Sequence, residues 1–230
     1  MPEFKEKFIQ TYEKLTDIED FKKYSLERLT KSIRVNTIKT SVKEIKQRLE
    51  NQGFKLKQIP WCKEGFWVVE GPRTDLGNLK EHSLGYIYIQ EAASMLPPII
   101  LEPEENDFIL DIAASPGSKT TQIAALMNNK GLIIANDYRY DRIKALSINL
   151  QRCGITNTII TLMEGKFFNR TKIEFDKILL DAPCSGTGAI RKSLKTLKMW
   201  NPNMFKRLAG IQKQLISISF DILKENGTLV

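Results

Sequence analysis

A chain of 230 residues, 42% of them hydrophobic, can bury a core either as one large domain or as an α/β domain with a smaller appendage. No apolar run approaches the ~20 residues of a membrane span, and the charged start MPEFKEKF lacks the apolar centre of a signal peptide, so a soluble cytoplasmic protein without a membrane partner is expected. Three scattered cysteines and one histidine, with no CxxC, fit neither a metal site nor a disulfide framework.

The first predicted element is an amphipathic helix carrying Phe4, Phe8, Tyr12 and Leu15 at helical spacing, packed on the next segment of the chain. Residues 32–37, SIRVNT, read as a strand. Ser41 to Gly53 reads as a helix, with Ser41 and Glu44 as a capping box, a stripe of Val42, Ile45 and Leu49, and Gly53 as the stop. Residues 54–59, 66–70 and 85–89 read as strands separated by Gly and Pro. This gives a small α+β module over 1–90 and a second domain over 91–230. Residues 90–101, QEAASMLPPIIL, form an interrupted helix between them.

From residue 108 strands and helices alternate. Strands are expected at 108–112, 131–136, 158–162, 176–181 and 227–230, with helices near 118–127, 140–153 and 203–224. The last helix carries Leu208, Ile211, Leu215, Ile218 and Ile222 on one face. Such alternation implies right-handed crossovers and a doubly wound parallel sheet. Its ligands lie beyond the carboxyl ends of the strands.

The stretch FILDIAASPGSKTTQIA, 108–124, supplies the first such end. It is an apolar strand, a turn at Ser115, Pro116, Gly117 and Ser118, and a helix with Ser118 as candidate N-cap and Ile123, Ala124 and Met127 facing inward. Its spacing is neither GxGxxG nor a phosphate loop, so on its own it fits a nucleotide-like ligand or an ordinary βα connection. Asp137 ends the second strand, about 20 residues past the turn, where a carboxylate can accept from vicinal ribose hydroxyls or simply cap a helix. Arg142, one turn on, can reach the same ligand or pair with a surface acid. Glu164 ends the third strand and can take an adenine amino group or remain a solvated acid. Asp181-Ala-Pro-Cys-Ser-Gly-Thr-Gly188 ends the fourth, placing a carboxylate and the Cys184 thiol at the sheet's mouth.

The net charge of +8 is uneven: residues 1–107 carry 17 Lys+Arg against 18 Asp+Glu, or −1, and residues 108–230 carry 18 against 9, or +9. No acid occurs from Ala182 to Phe220. Arg191, Lys192, Lys195, Lys198, Lys206, Arg207 and Lys213 lie in that window, interleaved with Met199, Trp200 and Phe205. Cations beside exposed aromatics are how proteins hold phosphates and stack bases, which favours a polyanion such as RNA over a plain solvated face.

Together SIRVNTIK, YIYIQEAASMLPP, LDIAASPGSKTTQIA, AND and FDKILLDAPCSGTG resemble the NOL1/NOP2/Sun family of RNA cytosine-5 methyltransferases, over roughly residues 25–230. The resemblance implies a Rossmann-like S-adenosylmethionine-dependent methyltransferase domain behind the N-terminal module, an RNA partner (tRNA or rRNA), 5-methylcytosine as product, and a monomer. It implies that Ala113, Ala114, Ser115, Pro116, Gly117, Ser118 and Lys119 line the methionine and sulfonium part of the cofactor. It further implies that Asp137 takes the ribose with Arg142 alongside, that Glu164 lies by the adenine, and that Asp181 and Lys119 meet the target cytosine. Lys192, Lys195, Lys198, Trp200, Lys206 and Arg207 are the expected RNA contacts. The sequence departs from the family in having Ala113, Ser115 and Glu164 where Cys, Ala and Asp are usual.

C5 of cytosine is a poor nucleophile until a thiolate adds to C6, which makes C5 enamine-like; a carboxyl group at N3 and N4 meets the developing charge. The base must be unstacked, so loops or single strands are the natural substrate. In the DNA enzymes a Pro-Cys corresponding to Cys184 attacks. In the RNA family the attacking thiol belongs to a Thr-Cys after the fifth strand, and the Pro-Cys thiol assists release. The sequence stops at Val230, ahead of such a Thr-Cys, and the expectation is a fragment. The competing readings are a noncatalytic, cofactor-binding RNA protein, an adenine amino-methyltransferase, which an Asp-Ala-Pro-Cys loop disfavours, and a dehydrogenase, disfavoured by the missing GxGxxG.

Overall fold

The computed structural model describes residues 3–230, in two compact units formed by 30–181 with 215–230, and by 3–29 with 182–214. The boundary expected at 90/91 therefore falls inside the larger unit.

In the larger unit, β1 (Ser32–Val35), β2 (Lys55–Gln58), β3 (Gly65–Glu70) and β4 (Ile87–Ile89) form an antiparallel sheet in the order β2-β3-β1-β4. Central β1 is buried at every residue. The helix Val42–Asn51 covers the sheet because Ile45 and Leu49 repeat at helical spacing and bury fully with Ile33, Phe66 and Ile87. Ser41 Oγ accepts from Glu44 N at 3.2 Å, whereas the Glu44 carboxylate takes Thr40 Oγ1, so only one half of the capping box forms. Gly53, at φ +87°, makes the left-handed stop that a side chain would resist.

The second sheet is wholly parallel: β5 (Phe108–Asp111), β6 (Leu132–Asp137), β7 (Thr158–Leu162), β8 (Phe175–Leu179) and β9 (Leu223–Leu229), in the order β7-β6-β5-β8-β9. The order reverses beside β5, which puts the topological switch point, and so the ligand crevice, at its carboxyl end. The helix Ser118–Leu126 lays Ile123, Ala124 and Met127 against Ile109, Ile133 and Leu179. Each large aliphatic buried this way contributes about 1.5–3 kcal/mol. The helix Tyr140–Cys153 buries Leu146 and Leu150 on Ala114 and Ala135. The interrupted segment is a 3-10 turn, Ala92–Met95, running into a helix, Leu96–Leu101, whose prolines sit in the first turn, where no amide donor is needed.

The last strand differs from expectation. The helix Asn203–Asp221 stops three residues early, and β9 begins at Leu223 instead of 227. Phe175 pairs with Leu223 and Lys177 with Thr228, so residues 224–227 bulge; Lys224 Nζ holds Asp176 Oδ1 at 2.7 Å, and Asn226 takes φ +63°. Ile211 is also more exposed than its stripe predicted.

The smaller unit contains the helices Glu6–Tyr12, Ile18–Leu26 and Lys195–Met199 and the start of Asn203–Asp221. They enclose an aromatic cluster in which Phe8 lies 5.1 Å from Trp200 and 4.6 Å from Tyr12, and Tyr12 stacks on Phe21 at 4.7 Å. The first helix ends at Tyr12, leaving Leu15 exposed. Among the described residues no helix is long and apolar enough to cross a membrane.

Candidate active site

A cleft of about 290 Å³ opens at the carboxyl ends of β5 and β8, lined by Asp111, Ala113, Ala114, Ser115, Pro116, Ser118, Lys119, Arg142 and Asp181, with Ser94 from the 3-10 turn. Its floor is the turn after β5. Gly117 N donates to Ala114 O at 2.7 Å, and Gly117, at φ +99°, stands at the N-cap position of the helix. Ser118 is instead the first helical residue, a correction to its expected role. Gly117 lies behind the lining: a Cβ there would meet Leu146 Cδ1 at 2.9 Å, so its absence lets the turn lie against the next helix.

Two ion pairs border the cleft. Lys119 Nζ meets Asp181 Oδ2 at 2.5 Å, joining the helix start to the residue that leaves the fourth strand. Arg142 Nη1 lies 3.2 Å from Asp137 Oδ2, and the Arg142 guanidinium also donates to Ser115 O, whose hydroxyl returns a bond to Arg142 O at 2.8 Å. Asp137 is buried and outside the lining. Its Oδ1 accepts from Arg139 N at 3.1 Å, Arg139 takes the N-cap position, and Oδ2 has no hydrogen-bond donor. Glu164 is exposed, paired with Lys166 at 2.5 Å, and also outside the lining.

Sequence reasoning passed over several residues. Asp111 closes β5, is buried, and accepts from Thr120 Oγ1 at 2.7 Å. Burial pushes its carboxyl up to about 6; Asp181 pushes the same way, while Thr120 and Lys119 oppose. A carboxylate closing an apolar strand ahead of the turn was the available signal, the same one that drew attention to Asp137 and Asp181. Asn136 ties three strand ends together: Nδ2 donates to Ile112 O and Met163 O at 3.1 and 2.9 Å, and Oδ1 accepts from Thr161 Oγ1 at 2.9 Å. Ser94 comes from a distant segment and left no local signal.

Cys184 belongs to the smaller unit, where it is exposed and forms no disulfide. Lys195, Lys198, Lys206 and Arg207 are exposed there as expected, and Lys192 is exposed too. Trp200 is not available for stacking. It is 2% exposed, enclosed by Phe8, Leu197 and Phe205, because the cations around it occupy the outer faces and the aromatic ring supplies the unit's core. Met199, beside it, is 75% exposed.

A five-stranded parallel sheet with a glycine turn after its first strand, and carboxylates at successive strand ends, defines a Rossmann-like methyltransferase domain. A family model described as 16S rRNA methyltransferase RsmB/F matches residues 98–230, and one described as the N-terminal domain of 16S rRNA methyltransferase RsmF matches residues 2–92. The chain belongs to the RsmB/F family of 16S rRNA methyltransferases. Ribosomal RNA small subunit methyltransferase F of Vibrio atlanticus (strain LGP32) is 48% identical over 206 residues, covering 88% of this chain and 44% of that protein. The protein of the same name from Shewanella piezotolerans is 47% identical over 218 residues, covering 93% and 46%. The chain thus spans about half the length of the curated relatives it matches.

Among solved structures, a methyltransferase homolog protein from Pyrococcus horikoshii superposes with a TM-score of 0.80 at 37% identity, covering 92% of this chain and 65% of that one. NSun6 from the same organism, solved with SFG, gives a TM-score of 0.88 at 25% identity, covering 99% and 82%. The cofactor of this class of enzyme is S-adenosylmethionine, and the residues present fit it. The cleft offers carboxylates to a cationic ligand, and the buried Asp137 Oδ2 is an acceptor still lacking the donor that a hydroxyl would provide.

Proposed function

We propose that the protein methylates C5 of a cytosine in RNA, with 16S rRNA as the substrate class, using S-adenosylmethionine held in the cleft after β5. The observation that carries this reading is the Lys119–Asp181 pair at 2.5 Å, a carboxylate and an ammonium side by side in the lining of the cleft that would hold the cofactor. Bound S-adenosylmethionine supplies an electrophilic methyl group. The chain's residues then have distinct tasks. Ala113 to Lys119 shape the wall, and Asp137 accepts from the ribose with Arg142 beside it.

Asp181, steadied by Lys119, faces the pyrimidine edge and meets charge that develops when a thiolate adds to C6. A cysteine thiolate would add to C6, and once C5 is methylated a base would take the C5 proton as the C6–S bond breaks and the thiolate leaves. Cys184 assists that release. Residues 1–90 act as an RNA-binding module ahead of a methyltransferase domain over 91–230. The exposed cations Lys195, Lys198, Lys206 and Arg207 hold the RNA backbone. The Lys119–Asp181 arrangement supports base chemistry over mere cofactor storage.

Incubating a protein that includes both this chain and the Thr-Cys of the RNA family with S-adenosylmethionine and unmodified small-subunit RNA, then digesting to nucleosides, tests the reading. 5-Methylcytosine is the expected product. Methyl groups found only on an exocyclic nitrogen or a ribose would overturn it.

A further inference from the structure

Arg34 is an unusual residue for the centre of a sheet. It sits on β1, is 1% exposed, and extends its guanidinium towards the second sheet's first helix. Nη1 donates to Gln90 Oε1 at 2.9 Å and to Ser118 O at 2.8 Å, and Nη2 donates to Thr121 Oγ1 at 2.9 Å. All three acceptors are neutral, and Nε has no partner. Burial pulls the group down to about 10, so it remains charged at neutral pH. Burying a cation on neutral hydrogen-bond acceptors is costly, and a well-packed apolar residue would serve a purely structural strand better.

The groups that the charge touches explain it. Ser118 is the first helical residue after the glycine turn and lines the cleft, and Thr121 lies one turn further on. The same sheet sends a second anchor, Tyr88, whose hydroxyl donates to Pro116 O at 3.3 Å and whose ring lies 5.6 Å from the Arg34 guanidinium carbon. Gln90 extends the network, donating to Ser94 O at 3.0 Å and to Gln122 Oε1 at 2.9 Å, and Ser94 also lines the cleft. Arg34 on β1, Tyr88 on β4 and Gln90 just after it thus each end on the backbone of a cleft-lining residue.

We propose that Arg34 is a positioning residue: through Ser118 and Thr121, with Tyr88 on Pro116, the antiparallel sheet fixes the 113–119 turn in its ligand-holding conformation. The small sheet is then part of the cofactor site without touching the cofactor. This inference rests on the reading that the cleft holds S-adenosylmethionine.

The guanidinium fork is what matters, since its two terminal nitrogens divide Gln90 Oε1, Ser118 O and Thr121 Oγ1 between them in one plane, an arrangement that a single ammonium nitrogen does not reproduce. Arg34→Lys, in the folded 230-residue chain, is expected to lower S-adenosylmethionine affinity by calorimetry about 10-fold or more, the scale of losing one charge-assisted hydrogen bond. Tyr88→Phe and Thr121→Val, which keep the packing, should each lower it several-fold, and they decide the matter if the Arg34 variants do not fold. Hydrogen exchange on ligand-free protein supplies a second readout: amides of residues 117–121 should lose protection in all three variants. Wild-type affinity together with unchanged protection there, with only thermal stability shifted, would overturn the proposal. If the unsubstituted chain binds no S-adenosylmethionine, the functional reading fails, and the exchange data alone decide the anchor.

Discussion

Lys119 Nζ lies 2.5 Å from Asp181 Oδ2, linking the helix that follows β5 to the residue that follows β8. Asp181 is largely exposed, with 59% of its side chain accessible, so the pair contributes only about 0–1 kcal/mol to the fold. On the proposed mechanism its geometry serves chemistry more than stability. In a protein that includes the Thr-Cys, Asp181→Asn is expected to leave thermal unfolding nearly unchanged while slowing single-turnover methyl transfer to RNA by about 100-fold or more. Full activity in that variant would remove Asp181 from the reaction.

Asp137 tests the ribose assignment. Its Oδ2 is buried with an arginine 3.2 Å away but no hydrogen-bond donor, and a ribose hydroxyl would complete it. Asp137→Ala should weaken S-adenosylmethionine binding by about 1–3 kcal/mol in calorimetry. Unchanged affinity would sink the assignment.

Asp111 gives the site a pH dependence. Its folded value of about 6 lies above the ordinary 3.8, so the folded protein binds this proton more tightly than the unfolded chain does. The group therefore contributes stability that is fully present below about pH 4 and lost as pH rises through about 6, a change on the order of 3 kcal/mol. Denaturant titrations across this range should show that slope in the wild type and its reduction in Asp111→Asn. A cationic ligand prefers the ionised carboxylate, so affinity for S-adenosylmethionine should rise as pH passes from about 5 to 7 and flatten in the same variant. Parallel profiles for the two proteins would contradict the role.

The acid-free window now reads as a cationic surface without its aromatic. Replacing Lys195, Lys198 and Lys206 with Ala should weaken RNA binding and reduce the log–log salt slope by about 2, at ~0.7 per phosphate contact on single strands. Trp200→Phe should cost stability through the aromatic cluster and leave that slope alone. If the triple variant keeps its slope, the lysines are a solvated face.

The parallel sheet was legible because each strand is a short apolar run closed by a polar residue, as in FILD before the turn and FDKIL before Asp181. The glycine turn and its neighbours were legible for the same reason, and Ala113 to Lys119 lie where strand–turn–helix order puts them. The features that escaped had long-range causes. Arg34 and Asp111 look like ordinary strand residues until the fold places them around the same turn. Trp200 reads as an exposed aromatic among lysines, and only the arrival of Phe8 and Tyr12 from nearly two hundred residues away makes it a core residue. The bulge in β9 follows from pairing with β8, which no local pattern records.

Cys184 separates two mechanisms. The thiol is free and exposed, three residues beyond Asp181 in the chain. Either it attacks C6 itself, or a second thiol attacks and Cys184 helps the product leave. The resemblance to the RNA family favours release, with attack by the Thr-Cys thiol. In a protein that includes that Thr-Cys, Cys184→Ala should keep the nucleophile and lose the group assisting elimination. A covalent protein–RNA adduct should then accumulate, stable in denaturing gel electrophoresis, while turnover falls. If Cys184 is the nucleophile, the variant forms no adduct even on RNA carrying 5-fluorocytosine, whose C5 substituent blocks the elimination. The unsubstituted protein supplies the control, because it must trap on 5-fluorocytosine under either mechanism. Adduct in Cys184→Ala on ordinary RNA assigns release; its absence on both RNAs assigns attack.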